Sequence, residues 1–351
     1  MTIALAATTA APAEPVTAGP AEPAARVLTG DRPTGRLHLG HYFGTLANRV
    51  RLQKGGADLF VVIADFQVLT DRDVADDLPR YVEELLLDYL AVGIDPDRAT
   101  IFTHSSVPAL NQLLLPFLSL VSVAELRRNP TVKDEINHSR QSSVSGLMFT
   151  YPAHQAADIL FCKAGLVPVG QDQLPHLEIT RTIARRFNDR YPATGSPVFP
   201  EPEALLSAAP LLLGTDGTKM SKSRDNAISL AADADETARL IRGAKTDADR
   251  HITYDPERRP EVASLLLLAS LCLDREPAVL AEEIGSGGAA ALKRCVTEAV
   301  NGFLAPIRAR RAELARDPGH LRAVLRAGNE RADAVAEATL DEVRAAMSSR
   351  Y

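Results

Sequence analysis

Lysine, histidine and glycine recur in two short patterns that suit a polyphosphate. The first is Lys219-Met220-Ser221-Lys222-Ser223, directly after Gly214-Thr215-Asp216-Gly217-Thr218, where glycine and aspartate favour a turn over a helix. Its two lysines are compact point charges on long stems, and a loop can bring both onto one anionic group. The second is His38-Leu39-Gly40-His41, within Thr34–Gly44 (T-G-R-L-H-L-G-H-Y-F-G). Gly35, Gly40 and Gly44 let backbone come close to a ligand, and a helix starting near His41 would aim its first N–H groups at it. A solvated Lys/Ser loop and a histidine metal pair are the competing readings. No acidic third ligand stands near the histidines in sequence, so phosphate contact is the better account and no metal centre is expected. Together the two patterns predict a clamp on one nucleoside triphosphate, imidazoles and backbone N–H groups on one side and ammonium groups on the other.

Two further stretches carry polar groups in apolar settings. Tyr151–Asp158 (Y-P-A-H-Q-A-A-D) runs into Ile159-Leu160-Phe161, so Asp158 needs donors, either as a helix cap or as the acceptor of a ligand N–H. In Leu166–Arg181 an apolar strand, Val167–Val169, meets Gly170, and Gln171, Asp172 and Gln173 then open an amphipathic helix. Asp172 could cap that helix, accept hydrogen bonds from ribose hydroxyls, or do both. Near the C-terminus Arg308, Arg310, Arg311, Arg316, Arg322, Arg326 and Arg331 form a basic run, with Arg322 and Arg326 on one helix face. It is either a nucleic-acid contact or a solvated surface balanced by Glu313, Asp317 and Glu330.

The elements that must position these groups alternate between strand and helix from Arg26. Val27-Leu28, the apolar run Leu59–Ile63 and Ala99–Thr103 read as strands; segments from about His41 to Gln53 and from Asp77 to Val92 read as helices. This order predicts an α/β fold, a doubly wound parallel Rossmann-like sheet with ligand at the carboxyl ends of its strands. His38, Gly40 and His41 follow the first strand, and Asp65 and Gln67 a later one, so both groups fall on that edge. Residues 105–165 read as an inserted segment: an apolar helix Leu110–Leu126, then a polar tract Arg127–Ser145. After Asn226 no strand is expected; Asp233–Arg242, Pro260–Leu273, Ala289–Ala315 and His320–Ser348 carry helical stripes. The expected division is therefore a disordered Ala/Pro-rich tail (1–25), a catalytic domain (26–226) and an all-α C-terminal domain (227–351).

Composition bounds the class. The chain has 351 residues, 46% of them apolar, with no run approaching the roughly 18 apolar residues of a membrane span. Cys162, Cys272 and Cys295 are too scattered for a disulfide framework or a cysteine-built metal site, which suits a reducing cytoplasm. Residues 1–25 lack Lys and Arg and so resemble neither a secretory signal nor a transit peptide. A net charge of −6 argues against coating nucleic acid indiscriminately, so no DNA or membrane partner is expected, while tRNA stays compatible.

From about Val27 to the C-terminus the chain resembles the class I aminoacyl-tRNA synthetases, and among them the bacterial tryptophanyl-tRNA synthetases. G-D-R-P-T-G-R-L-H-L-G-H-Y looks like that family's HIGH region, and K-M-S-K-S is its second motif unaltered. Y-P-A-H-Q-A-A-D-I-L and V-P-V-G-Q-D-Q-L-P-H-L-E-I-T-R are similar to its tryptophan and nucleotide segments. The resemblance implies activation of L-tryptophan by Mg²⁺-ATP, transfer to tRNA(Trp), and a homodimer formed through the inserted region, with no tightly bound cofactor. It implies that His38, His41, Lys219 and Lys222 act on the phosphates, with Arg32, Pro33, Thr34, Gly40, Met220, Ser221 and Ser223 beside them. Gly170, Gln171, Asp172 and Leu212 would hold adenosine. Asp158 would accept the indole N–H, Tyr151 and Gln173 would meet the ammonium group, and Gln67, Gln155, Leu28, Gly30, Val167 and Val169 would complete the pocket. Where the family usually has histidine, methionine and an aromatic or other apolar wall, this chain has Gln67, Gln155 and Leu28. Glu135 replaces a common lysine, leaving Lys133 as a candidate ATP contact. Those departures resemble an auxiliary type of the enzyme and imply tolerance of tryptophan mimics such as indolmycin, through Gln67 above all. The alternatives are a tyrosyl enzyme, a non-charging tryptophan-binding paralogue, and a nucleotidyltransferase with related HxGH chemistry.

Overall fold

A computed structural model describes residues 25–70, 77–133, 144–192, 196–206, 212–221 and 224–351. Residues 1–24 of the expected tail, Glu135, Lys222, Ser223 and the side chain of Asp172 lie outside the described residues. Strand β1 (Arg26–Asp31) leads through the histidine motif into α1 (Leu39–His41), a π-helical turn (Tyr42–Leu46) and α2 (Ala47–Lys54). Then come β2 (Asp58–Ile63), a 3₁₀ turn (Asp65–Thr70), α3 (Leu78–Ala91), β3 (Ala99–Thr103) and a 3₁₀ turn (His104–Ser106). Where the sequence predicts one helix over Leu110–Leu126, the chain forms α4 (Pro108–Gln112), α5 (Leu114–Leu118) and α6 (Val123–Arg128). Pro116 cannot donate to a helical ladder, and Ser122 restarts the helix with a reciprocal Ser122–Glu125 capping box.

Helix α7 (Gly146–Leu160) precedes β4 (Leu166–Val169), a 3₁₀ turn (Gln171–Gln173), α8 (Leu174–Arg190) and β5 (Glu203–Leu206). Beyond it lie only helices among the described elements: α9 (Ala234–Gly243), α10 (Pro260–Leu273), α11 (Pro277–Ile284), α12 (Gly288–Leu314) and α13 (Pro318–Ala346). No helix among the described residues is long and apolar enough to cross a membrane.

The sheet is parallel throughout, in the order β3-β2-β1-β4-β5, which is the doubly wound topology the alternation predicts. Strand β2 alternates cleanly, as a period of two dictates. Leu59, Val61 and Ile63 enter a core shared with α3, α10 and α12, while Phe60 and Val62 enter a second core with α4, α7 and α13. Strand β1 pairs with β2 along its whole length, Arg26↔Asp58 to Asp31↔Ile63, but meets β4 only at Val27↔Leu166. The two strands on either side of the topological switch therefore part toward their carboxyl ends, leaving a crevice there.

Helix α13 returns to the first sheet and covers the edge of β3. Gly328 permits the approach: a Cβ there would sit 1.8 Å from the Ile101 carbonyl oxygen. Asn329 Oδ1 accepts from the Thr103 N–H at 2.9 Å and Arg331 donates to the Ala99 carbonyl at 3.1 Å, so side chains satisfy an edge that would otherwise stay open.

Candidate active site

The two phosphate motifs meet through backbone. Leu39 N–H donates to the Ile228 carbonyl at 3.0 Å and Leu230 N–H to the Leu37 carbonyl at 2.9 Å, with His38 bridged antiparallel to Ser229. The segment leaving the lysine loop is thus spliced alongside the histidines. The loop itself is a tight hairpin: Leu213 bridges Lys219, Gly214 N–H reaches the Thr218 carbonyl at 2.7 Å, and Gly217 takes φ +82°. Asn226 ties it down, accepting from Ser221 N–H at 2.8 Å and donating to Asp216 Oδ1 at 2.8 Å and the Lys219 carbonyl at 3.2 Å. Met220 is 7% exposed, and its sulfur lies 3.4 Å from where a Cβ on Gly40 would be.

The histidines are stacked obliquely, ring centroids 3.7 Å apart. His38 N–H donates to His41 Nδ1 at 3.2 Å. A backbone N–H can only donate, so Nδ1 of His41 is unprotonated and a neutral His41 carries its proton on Nε2. The helix starts two residues earlier than the sequence suggests, at Leu39, with His38 in extended conformation as its N-cap. Pro33 is buried, Arg32 exposed, and Gly35 takes φ +104° as the turn after β1 requires.

A cavity of about 330 Å³ occupies the crevice between β1 and β4. It is lined by Leu28, Gly30, Gln67, Tyr151, Gln155, Asp158, Val167, Val169 and Gln173, every residue expected around an amino acid, and also by Arg32 and Gly170 from the nucleotide set. Its size falls within the range of small-ligand pockets. Leu212 instead packs into the first core, 5% exposed; Gln171 and Lys133 are exposed. Gln173, not Asp172, is the N-cap of α8 and makes no side-chain cap. Asp158 sits inside α7 rather than at its end, so it is no helix cap either; it is 2% exposed.

The sequence reading missed two groups that shape this cavity. At its floor Arg49, 1% exposed, pairs with Asp31 at 2.5 Å and donates to the Gly30 carbonyl at 3.1 Å, while Tyr89 hydroxyl donates to Asp31 at 2.7 Å. Burial alone would push the Asp31 carboxyl up, but the Arg49 guanidinium outweighs it and holds that carboxyl down at about 2. Behind the wall, His104 Nε2 lies 2.9 Å from Asp158 Oδ1. His104 follows β3 as His38 follows β1; the rule that puts ligands at carboxyl ends of strands would have singled it out. Arg49 left no such sign, since its partner becomes a neighbour only through the fold.

The C-terminal arginines divide. Arg311 pairs with Glu84 and, at 2.9 Å, with Asp88; Arg308 donates to Thr237 Oγ1 at 2.8 Å and Arg331 to the Pro96 carbonyl at 2.8 Å. These hold helices in place, whereas Arg310, Arg316, Arg322 and Arg326 are exposed.

A model of the class I tRNA synthetases for W and Y matches residues 21–305. The chain belongs to this family. Among its relatives, the tryptophan–tRNA ligase of Treponema pallidum is 43% identical over 329 residues, spanning 92% of this chain and 96% of the relative. That of Clostridium longisporum is 42% identical over 337 residues, 93% and 97% of the two chains. Tryptophanyl-tRNA synthetase of Campylobacter jejuni, solved with ADP and tryptophan, superposes with a TM-score of 0.80 at 29% identity, covering 92% of this chain and 99% of that one.

Proposed function

We propose that this chain is a tryptophan–tRNA ligase, joining L-tryptophan to tRNA(Trp) at the expense of ATP. The observation that carries the reading is the cavity: a buried carboxylate, Asp158, lines it together with the apolar side chains of Leu28, Val62, Val167 and Val169, beside the spliced phosphate motifs. A carboxylate accepts an N–H well, and a phenylalanine side chain would leave it unpaired, which costs far more than a missing methylene.

In the first step the tryptophan carboxylate oxygen attacks the α-phosphorus of Mg²⁺-ATP; a P–O bond forms and the bond to pyrophosphate breaks. No protein nucleophile takes part, so the residues work by positioning and by matching charge. His41, with its Nε2 proton, and His38 donate to the phosphates; Arg32, Pro33, Thr34 and Gly40 line that side. Lys219 and Lys222 neutralise the departing pyrophosphate, with Met220, Ser221 and Ser223 shaping the loop. Gly170, Gln171, Asp172 and Leu212 are assigned to adenosine, and Tyr151 and Gln173 to the ammonium group. In the second step the terminal ribose hydroxyl of the tRNA attacks the adenylate carbonyl and AMP leaves. Scattered cysteines and the need to meet tRNA support the cytoplasm as the compartment of this work. Exposed apolar residues on α5 and α6, Leu115 and Val123, are compatible with a homodimer contact.

The test is tryptophan-dependent exchange of pyrophosphate into ATP, then charging of tRNA(Trp), with tyrosine and phenylalanine as controls; exchange with tyrosine alone would overturn the reading. Lys219→Ala should lower the exchange kcat by roughly 10²–10³ while leaving the KM for tryptophan nearly unchanged. Gln67 lines the cavity, and the same reading extends to tolerance of indolmycin. Gln67→His should then bind that inhibitor more tightly, by roughly tenfold or about 1.4 kcal/mol; an unchanged inhibition constant removes Gln67 from the account.

A further inference from the structure

Behind Asp158 stands a buried polar row that the assigned roles leave unused. His104 is 0% exposed, and His154, on α7 with Asp158, is 3% exposed. Asn111 fixes the row: its Nδ2 donates to the His104 carbonyl at 2.7 Å and the Val107 carbonyl at 3.0 Å. Its Oδ1 must therefore accept, and it meets His154 Nε2 at 2.8 Å, which puts the His154 proton on that nitrogen. The rings of His154 and His104 stand edge to face, centroids 4.7 Å apart. Asp65, from the turn after β2, anchors the other side by accepting from Ser105 N–H at 3.2 Å. His104 thus faces two carboxylates, Asp158 and Asp65, and one imidazole, His154.

We propose that His104 is a positioning residue for amino-acid recognition, holding one oxygen of Asp158 so that the carboxyl group turns its other oxygen to the indole N–H. This rests on the tryptophan reading above. The physical need is plain: a carboxylate buried with no donor would take up a proton, lose acceptor strength and cease to reward an N–H. Burial opposes a charge on His104, yet Asp158 outweighs it and raises the imidazole's pKa; burial lowers that of His154, which stays neutral. His104, His154 and Asp158 also bring one ligand atom each within 4.8 Å of one another, as a metal site would. But the 2.9 Å between His104 Nε2 and Asp158 Oδ1 is an ion-pair distance, shorter than the roughly 3.3 Å that separates ligands around a tetrahedral zinc, although its angle is not that of a hydrogen bond and neither atom has another partner among the described residues.

The experiment compares wild type, His104→Leu and His104→Gln in pyrophosphate exchange, with ATP saturation as the control for an intact fold. The substrates are tryptophan and 3-benzothienylalanine, which has sulfur in place of the N–H. His104→Leu should raise the tryptophan KM by roughly 10- to 100-fold, leave the ATP KM within about twofold, and collapse the preference for tryptophan over the sulfur analogue. His104→Gln keeps a donor and should recover most of that loss. In wild type the tryptophan KM should rise as pH climbs through the raised pKa of His104, and in His104→Gln this part of the profile should be flat. An unchanged tryptophan KM in His104→Leu overturns the proposal. Should that variant not fold, a wild-type pH profile in His104→Gln overturns it equally. Stoichiometric zinc in the purified protein, with chelation raising the tryptophan KM, also overturns it in favour of a metal site. A wild type without any tryptophan-dependent exchange overturns instead the reading beneath.

Discussion

A guanidinium that is 1% exposed is costly unless paired, and Arg49 is paired with Asp31, the Gly30 carbonyl and the face of Tyr89, 5.5 Å from its centroid. The Asp31 carboxyl titrates below its ordinary 3.8, at about 2. A depressed folded pKa gives stability that is fully present above the unfolded value and is lost as pH falls through the folded one. Asp31 should thus contribute roughly 2 kcal/mol above pH ~4 that fades toward pH ~2. Urea unfolding at pH 5 and at pH 2.5 should show that wild type loses this much more than Asp31→Asn; equal losses would exclude the pair as a source of acid sensitivity. At this scale the sequence was legible where a motif packs its partners within a few positions, as around His38 and His41. It was also legible where a resemblance supplied the wall, as with Gln67, Gln155 and Asp158. Arg49 was not, because its partner Asp31 becomes a neighbour only through the fold; the place of His104 after β3 was readable, but its contact with Asp158 was not.

Among the elements, the splice between Leu37–Leu39 and Ile228–Leu230 fixes one end of the lysine hairpin, and Asn226 fixes its tip. Asn226→Ala would leave Ser221 N–H and the Lys219 carbonyl to find new partners, a loss of about 1–3 kcal/mol. The larger effect should be on rate, on the order of tenfold to a hundredfold in kcat, because a loop displaced by about 1 Å misplaces its charges. Differential scanning calorimetry beside exchange kinetics separates the two; a kcat unchanged in a destabilised variant would mean the loop finds its place on substrate alone. Strands β1 to β4 and most helices were readable because apolar periodicity is a local property. Strand β5, E-A-L-L, was not: its residues favour helix, and only pairing with β4 from Leu166↔Glu203 to Val169↔Leu206 makes it a strand. The broken helix from Pro108 to Arg128 was misread as continuous because its leucines run on across Ser122, whose cap only the Glu125 side chain completes.

At the scale of the whole molecule, the helical half and the sheet share both cores rather than touching at a seam. Asp88 shows the coupling: one oxygen accepts from Leu37 N–H at 2.8 Å, just before the histidines, and the other from Arg311 of α12 at 2.9 Å. Gly328 is the tightest point of the assembly. Gly328→Ala should destabilise by about 1–3 kcal/mol or more, since backbone rather than a pliable side chain blocks the new methyl. Thermal unfolding would measure it, and a melting temperature within 1 °C or so of wild type would show that α13 can slide along β3.

Helix α13 also orders events in time. The strands are synthesised before α13, so among the described residues the β3 edge lacks its Asn329 and Arg331 partners until that helix has emerged. Completion of the βαβ units alone therefore leaves an edge open, and a chain interrupted before Gly328 should be prone to pair with its neighbours and aggregate.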